Sequence, residues 1–261
     1  MARKDATELR FAYDRDGYVI ARQVIDADLA AEACDHVKWL LEQNPTLKPE
    51  ELGHNLMIGD PFWYRLISDD RLVDLAEVFI GSNVALFATH YIAKAPKTGR
   101  PVLWHQDGSY WPLKPMEVTT LWLACSSSTP ENGCMRVIPG TQELDLQEMK
   151  PNDKVDSVLK SEIDASFVDD THAVDFILGP GDVSIHNPKI VHGSNANTSD
   201  LWRVGLTIRY IPTTTEITSA GAGSAYLLRG EVTPGINEYL PRPVFRPELH
   251  FAFRNQAEYS G

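Results

Sequence analysis

The spacing of apolar positions in the first third of the chain predicts helices. After Asp26, apolar residues recur every three or four positions as far as Leu40, and Asn44-Pro45 ends the pattern. A second helix is expected to begin at Asp60-Pro61, and a third to end at Gly81. We expect these helices to pack against the rest of the protein rather than to carry its chemistry.

From Val84 onward, the pattern changes to short runs of β-type residues separated by Gly, Pro and Asn. The runs are VALFATHYIAK (84–94), PVLWHQD (101–107), EVTTLWLAC (117–125), CMRVIPG (134–140), AVDFILGPGDVSIH (173–186), KIVHG (189–193) and LWRVGLTIRYIP (201–212). Short strands in this number, with turn residues between them, predict a mainly β domain built as a sandwich or jelly roll.

We interpret the sequence as one domain covering residues 1–261. It has a helical part at about 1–83, a barrel at about 84–212 and a C-terminal extension at 213–261. The first stretch of that extension, 213–226, is expected to be irregular surface chain, and the Pro-rich end is expected to wrap the surface.

The barrel is expected to contain an insertion at residues 144–170. This stretch is too charged for a central strand and lies between predicted barrel strands, near the mouth of the barrel. We predict that it is a lid, mobile without substrate, that becomes ordered over the site when substrate binds.

Composition and charge limit the classes of partner. The 261 residues include 24 Lys and Arg against 36 Asp and Glu, which gives a formal net charge of −12. Nucleic acids and anionic membranes bind basic surfaces, so neither is expected as a partner. The N-terminus lacks the apolar core of a signal peptide, no apolar run is long enough for a membrane span, and the three cysteines contain no CxxC pair. We therefore expect a cytoplasmic protein, whose oligomeric state the sequence leaves open.

The run WHQDG contains a pair of residues with metal-binding chemistry. His105 and Asp107 stand at positions i and i+2 of a predicted strand, so both side chains project from the same face. An imidazole and a carboxylate on one rigid face begin a site for a divalent metal, and a third ligand must come from a later strand. The candidates are His172, His186 and His192, of which His192 lies at a strand end beside a Gly/Asn/Ser-rich connection.

The strand after this connection carries an alternating pattern. Arg203, Gly205, Thr207 and Arg209 share one face, while the other face is apolar and must be packed. If the strand curves around a cavity, Arg203 points into it and can form a bidentate pair with a carboxylate. The alternative is an amphipathic strand whose polar face meets water.

Together these residues resemble the pattern of iron(II)- and 2-oxoglutarate-dependent dioxygenases. His192 follows Asp107 by 85 residues, and Arg203 follows His192 by 11 residues. In detail the chain resembles the phytanoyl-CoA dioxygenase family over roughly residues 10–212. The matching runs are WHQDGSYWP (104–112), TTLWLACSSSTPENGCMRVIPGT (119–141) and GDVSIHNPKIVHGSNANTSDLWRVGLTIRY (181–210). The resemblance implies a double-stranded β-helix, a cupin-like jelly-roll barrel with flanking helices.

The resemblance also implies roles for individual residues. The iron(II) ligands would be His105, Asp107 and His192, and Arg203 would anchor the distal carboxylate of 2-oxoglutarate with help from Ser194. Trp122, Gln106 and Tyr91 are expected in the cosubstrate pocket, and Tyr110, Trp111 and Arg209 are candidates for contact with substrate. Halogenating relatives have Gly or Ala at the position of Asp107, so the intact carboxylate predicts hydroxylation.

The function implied is hydroxylation of an unactivated C–H bond of a small organic molecule, with iron(II), 2-oxoglutarate and O₂ and with succinate and CO₂ as products. A natural-product intermediate, an amino acid or a small zwitterion such as an aminoalkylphosphonate would suit this chemistry, and the sequence does not identify which. A cupin-like metal-dependent isomerase or lyase would leave Arg203 and Ser194 unexplained. A non-catalytic binding barrel would leave the whole His/Asp/His set unexplained.

Overall fold

Helices form most of the N-terminal part of the protein. The computed structural model describes residues 3–219 and 226–260, so part of the predicted irregular stretch, residues 220–225, lies outside the described residues. Within the described ranges, the α-helices are α1 (Arg3–Asp16), α2 (Ala27–Gln43), α3 (His54–Met57), α4 (Pro61–Ile67) and α5 (Asp70–Ile80). Across the same ranges, no helix combines the length and the apolar content that a bilayer span requires.

The three helices predicted from the sequence are confirmed, and their ends have local causes. The Asp26 carboxylate accepts the backbone N–H of Leu29 and caps α2. Asp60 caps α4 in the same way, with Pro61 at the first helical position. The helix α5 ends at Gly81, whose φ of 81° suits glycine.

Short strands form the rest of the regular structure. They are β1 (Tyr18–Ala21), β2 (Val84–Tyr91), β3 (Val102–His105), β4 (Leu113–Lys114), β5 (Thr119–Ala124), β6 (Met135–Val137), β7 (Lys150–Pro151), β8 (Ser161–Glu162), β9 (Val174–Asp175), β10 (Val183–His186), β11 (His192–Ser194), β12 (Gly205–Pro212), β13 (Glu216–Ile217) and β14 (Tyr226–Arg229). Each run of β-type residues predicted from the sequence overlaps at least one of these strands.

Two antiparallel sheets build the barrel. The larger has the order β1-β10-β5-β12-β2-β14, and the smaller has the order β3-β11-β6-β9. Trp122 and Ala124 of β5 pack with Met135 and Val137 of β6, so the two sheets face each other across an interior. The helices cover the opposite face of the larger sheet, where their apolar residues join those of β2, β5, β10 and β12 in one core. The fold is a double-stranded β-helix with flanking helices, as expected.

The two ends of the larger sheet depart from the predicted division of the chain. Strand β1 lies within the part predicted to be helical and pairs with β10, while β14 belongs to the C-terminal extension and pairs with β2. Both are four residues long and mostly half-buried. Strands this short carry too few alternations to be recognised from periodicity, and their pairing with an existing sheet edge determines them.

The 144–170 insertion is attached to the barrel through its own buried residues. Ile163 is buried and packs with Ile138 and Val191, and its backbone N–H donates to the carbonyl of Trp104. The strands β7 and β8 pair within the insertion as a hairpin. Leu144, Met149 and Phe167 of the insertion pack against the same cluster, so a stretch too charged for a central strand is still fastened by a few apolar side chains.

Candidate metal centre and its cavity

Three side chains with metal-ligand chemistry converge inside the barrel. Strand β3 ends at His105, a 3₁₀ turn begins at Asp107, and His192 opens β11 directly opposite His105 in the register of the two strands. One ligand atom from each lies within 4.8 Å of the others, and all three residues are buried. Among the described residues, these are the only three that form such a group.

Backbone contacts set the orientation of both imidazoles. Nδ1 of His105 donates to the Leu103 carbonyl at 2.8 Å, and Nδ1 of His192 donates to the Ile190 carbonyl at 3.0 Å. In each ring, Nε2 is then left with its lone pair directed toward the other two residues of the candidate metal group. Nε2 of His105 lies 3.4 Å from Oδ1 of Asp107. A hydrogen bond from the other ring nitrogen of a ligating histidine to a backbone carbonyl is typical of metal sites.

The charge states also suit a divalent metal. Burial, together with the neighbouring His105, holds the pKa of His192 well below its usual range, so the ring is neutral. Burial raises the pKa of the Asp107 carboxyl, but the positive charge of Arg209 and the nearby imidazoles outweigh this effect, and the net pKa lies well below its usual range. Two imidazoles and one carboxylate form the donor set that iron(II) oxygenases use.

The other two histidine candidates are placed differently. His186 lies beside the group, with its Nε2 3.7 Å from Oδ2 of Asp107 and its ring centroid 4.9 Å from that of His192. It is fully buried, yet neither of its ring nitrogens has a hydrogen-bond partner. His172 lies on the surface and bonds to Asp169, far from this chemistry.

A cavity adjoins the three residues and extends between the two sheets. Ser194 and Trp122 line it together with Arg203 and Arg209. The Arg203 guanidinium lies over the Trp122 ring at 5.3 Å. A Cβ at Gly205 would stand 2.1 Å from that ring, so the position of the indole requires glycine there.

One end of the cavity is formed around Arg203, which is 1% exposed. Its Nη2 donates to the Ile92 carbonyl at 3.0 Å and its Nη1 donates to the Gly133 carbonyl, while Nε has no partner. Burial lowers the pKa of this guanidinium to about 10. Arg203 therefore faces the interior of the barrel, and the water-facing alternative for this part of the strand is wrong.

Sequence analysis missed a second basic residue at this end, Lys94. It is completely buried, and its Nζ donates to Oγ of Ser194 at 2.8 Å and to the Asn195 carbonyl. Its backbone pairs with that of Arg203 in both directions. Burial and then the charge of Arg203 lower the pKa of Lys94 to about 6. In the sequence, Lys94 is a single lysine at the end of an apolar run. A lysine in that position is typical of a surface residue.

Two residues expected in the cosubstrate pocket lie elsewhere. Gln106 is buried, its side-chain amide donates to the Lys189 carbonyl at 2.7 Å, and its oxygen accepts the backbone N–H of Gln147, so it fastens the insertion. Tyr91 faces the helices, where its hydroxyl lies 3.2 Å from Nδ1 of His36. Strand alternation explains both corrections, because each residue is next in sequence to a residue that lines the cavity.

The opposite end of the cavity is formed around Arg209. Its guanidinium stacks over the Trp111 ring at 5.1 Å, and its Nη2 lies 3.9 Å from Oδ2 of Asp107. Its Nε has no hydrogen-bond partner. Tyr110 is half exposed beside the cavity and hydrogen-bonds to Ser161 of the insertion at 2.7 Å. Trp111 thus supports Arg209 from behind, and Tyr110 links this region to the insertion.

Comparison with known proteins identifies the family of the chain. The chain belongs to the phytanoyl-CoA dioxygenase family, whose model matches residues 13–205. It is 30% identical over 149 residues to a probable alpha-ketoglutarate-dependent hypophosphite dioxygenase of Stutzerimonas stutzeri, covering 56% of this chain and 51% of that protein. It is 25% identical over 224 residues to an ectoine dioxygenase of Sphingopyxis alaskensis, covering 76% and 73%. The chain thus spans about half the length of the first relative and about three quarters of the second.

Solved structures with the same fold include three non-heme enzymes. A non-heme monooxygenase, ThoJ, superposes with a TM-score of 0.77 at 22% identity over 90% of this chain and 88% of that one. The epimerase SnoN, in complex with Fe³⁺ and alpha-ketoglutarate, gives 0.69 at 24% identity over 84% and 88%. EctD from S. alaskensis, with 2-oxoglutarate and 5-hydroxyectoine, gives 0.66 at 21% identity over 93% and 89%. These likenesses establish the double-stranded β-helix.

Proposed function

We propose that the protein is an iron(II)- and 2-oxoglutarate-dependent dioxygenase that hydroxylates a C–H bond of a small organic molecule. The observation that carries the proposal is one cavity with His105, Asp107 and His192 on its wall and the buried Arg203 at its end. When bound, iron(II) with 2-oxoglutarate and O₂ supplies the oxidation of the C–H bond, with release of succinate and CO₂.

The three residues fit iron(II) by chemistry and by orientation. The carbonyl contacts to Nδ1 of each imidazole direct the Nε2 lone pairs of His105 and His192 toward Asp107. Ligand sets of two histidines and one carboxylate leave metal positions open for a cosubstrate and O₂. The intact carboxylate of Asp107 supports hydroxylation as the outcome.

Arg203, Lys94 and Ser194 would hold the distal carboxylate of the cosubstrate. Among the described residues, neither of these two buried basic side chains forms an ion pair with a carboxylate, and their pKa values, about 6 for Lys94 and about 10 for Arg203, leave Arg203 as the charged one near pH 7. Buried charges without a counter-charge are costly, so an incoming anion is favoured here. Ser194 accepts a hydrogen bond from Lys94, which leaves the hydroxyl proton of Ser194 free to donate into the cavity. Trp122 forms the wall beside this anion site.

Anaerobic titration tests this function. Iron(II) is added to the metal-free protein, then 2-oxoglutarate, and the weak visible charge-transfer band of the chelate is recorded together with iron content. We expect the band in the parent protein. In Arg203→Gln we expect the dissociation constant for 2-oxoglutarate to rise roughly 10- to 100-fold with iron affinity little changed, since hydrogen bonds between charged groups contribute about 1.5–3 kcal/mol.

Arg254→Gln is the matched control, because Arg254 is an exposed arginine that pairs with carboxylates on the surface. It should leave both affinities unchanged. Iron binding without a 2-oxoglutarate band would favour a cupin-like isomerase or lyase. Absence of both would favour a binding barrel.

A further inference from the structure

We propose that the Arg209 end of the cavity is a second anion subsite, and that the substrate is a small molecule carrying a carboxylate, phosphonate or related oxyanion. The proposal rests on the proposed function for the placement of the cosubstrate at Arg203. It adds the chemical class of the substrate and the residues that recognise it, Arg209 with His186.

The two arginines lie at different positions along the cavity. Arg203 and Arg209 lie on the same face of one antiparallel strand region, six residues apart, and both line the cavity. At about 3.4 Å per residue, their Cα atoms are roughly 20 Å apart. One carboxylate group therefore cannot pair with both guanidinium groups, so an oxyanion held at Arg209 is distinct from the carboxylate held at Arg203.

The donors at the Arg209 end lack partners within the protein. His186 is 1% exposed, and neither of its ring nitrogens is hydrogen-bonded. Nε of Arg209 is also without a partner. Buried polar groups in folded proteins are almost always paired, so unpaired donors lining one cavity indicate a ligand that supplies acceptors.

Asp107 does not provide those acceptors. Its Oδ2 lies 3.7 Å from Nε2 of His186 and 3.9 Å from Nη2 of Arg209, and both distances exceed a hydrogen bond. Asp107 also belongs to the candidate metal group, so its negative charge would be shared with the bound metal. Asp107 is the only carboxylate within ion-pair range of Arg209 among the described residues, so a metal that shared the charge of Asp107 would leave the charge of Arg209 less compensated.

Apart from Asp107, the described residues around Arg209 supply no negative charge. Thr207 lies two residues before Arg209 on the same face of the strand. It is uncharged and lines the cavity. The nearby His54 and His90 are imidazoles, and burial followed by the charge of Arg209 lowers the pKa of His54 to about 4. Trp111 lies against one face of the guanidinium at 5.1 Å and keeps its edge available. A guanidinium held in this way matches the planar or tetrahedral oxygens of an oxyanion.

The test uses the protein loaded with iron(II) and 2-oxoglutarate under anaerobic conditions. The probes are acetate, methylphosphonate and acetamide, where acetamide matches acetate in shape without its charge. Binding is followed by calorimetry and by the change that each probe causes in the charge-transfer band. We expect the parent to bind one or both anions more tightly than acetamide, and the stronger of the two distinguishes a carboxylate from a phosphonate as the natural group.

In Arg209→Gln, the dissociation constant for the anion should rise roughly 10- to 100-fold, because hydrogen bonds to charged groups are lost. Arg209→Lys should restore part of the affinity by retaining the charge. Binding of acetamide and of 2-oxoglutarate should change less than about threefold in both variants. Nearly unchanged binding of 2-oxoglutarate by these variants would distinguish this subsite from the cosubstrate site.

Two results would overturn the proposal. Equal anion binding by the parent and Arg209→Gln would place the anion elsewhere. Loss of iron from Arg209→Gln, with unchanged anion affinity in the fraction that retains iron, would assign Arg209 to the support of Asp107. If the parent shows no 2-oxoglutarate band, the proposed function fails, and the same anion titrations on the metal-free protein still decide whether Arg209 binds oxyanions.

Discussion

The two ends of the cavity each carry an arginine on the same strand, but their surroundings differ. Around Arg203, backbone carbonyls accept from both Nη atoms, and the buried Lys94 fixes Ser194 beside it. The Arg209 guanidinium also stacks on a tryptophan, but its nearest carboxylate oxygen lies 3.9 Å away, and His186 nearby has no hydrogen-bond partner. The Arg203 end is held by the protein itself, whereas the Arg209 end is arranged to be completed by a ligand.

This difference separates two tasks that one cavity must perform. A cosubstrate that is the same in every turnover favours a rigid, preorganised site, because little ordering remains to be done when it binds. The recognition of a particular substrate depends on donors that stay unsatisfied until the correct ligand arrives, since an incorrect ligand then leaves buried groups unpaired. The metal group lies between the two ends and serves both.

The variant with the largest expected effect tests whether the metal group is separate from the Arg209 end. His192→Ala should lower iron affinity by more than about 100-fold, because even the outer partners of metal ligands are worth roughly 10- to 100-fold. His186→Ala is the matched control, since the two ring centroids are 4.9 Å apart and both residues are buried. It should change iron affinity by less than about tenfold. Iron content after dialysis and calorimetric titration with iron(II) measure both.

If His186→Ala were to lose iron while His192→Ala retained it, the third ligand would be His186, and the metal would lie closer to Arg209. The cavity would then have no separate substrate end. This pair of variants is therefore the most direct way to remove the distinction between the two ends.

The Arg203 end was largely predictable from sequence, and the Arg209 end was not. The HxD pair, His192 and Arg203 stand at spacings that resemble a known family, and strand alternation gives the faces of their side chains. Lys94 was not predicted as a site residue, because the burial of a lysine depends on a cavity that the sequence does not reveal. Arg209 was recognised as a candidate, but its lack of partners depends on the distance to Asp107, which only the folded sheets determine.

The fold shows the same division between local and distant causes. The helix ends at Asp26, Asp60 and Gly81 follow from capping, which acts over a few residues and can be read from sequence. The strands β1 and β14 and the attachment of the insertion through Ile163 depend on neighbours far away in the chain. Gln106 and Tyr91 were misplaced for a similar reason, because a one-residue change in alternation reverses the face of a side chain.

An intermediate effect is expected from Lys94→Met, which tests whether the Arg203 end is preorganised through Ser194. Loss of the Nζ to Oγ contact should weaken 2-oxoglutarate binding roughly 3- to 10-fold, in the range of one hydrogen bond. In a Ser194→Ala background the same substitution should have a smaller effect, because the two residues act through one contact. Equal effects in both backgrounds, measured by titration of the charge-transfer band, would mean that Lys94 acts only through its charge.

Lys94 also gives a pH dependence with a definite sign. Its pKa in the folded protein is about 6, below the ordinary value of 10.5, so between these values the unfolded chain binds a proton that the folded chain does not. Its contribution to the stability of the metal-free protein therefore falls as pH is lowered from about 10 toward 6. Arg203, Cys134 and Glu50 are the charged or titratable groups that act on it. Compared with Lys94→Met, the parent should gain a few degrees in melting temperature between pH 6.5 and 8.5.

The smallest effect is expected from Tyr110→Phe, which concerns the insertion beside the Arg209 end. The variant removes one half-exposed hydrogen bond to Ser161, and Ser161 can bond to water instead, so the loss should be at most about 1 kcal/mol. Melting temperature should stay nearly constant, while amide exchange in the β7–β8 hairpin should become roughly 2- to 5-fold faster. Ile163→Ala is the contrasting change, because it removes a buried anchor of the same segment and should cost about 2–5 kcal/mol.

If the insertion is a lid for the substrate end, addition of the anion probe should slow amide exchange in the β7–β8 hairpin of the parent, and 2-oxoglutarate alone should slow it less. Equal protection by both ligands would mean that the insertion does not distinguish the two ends of the cavity.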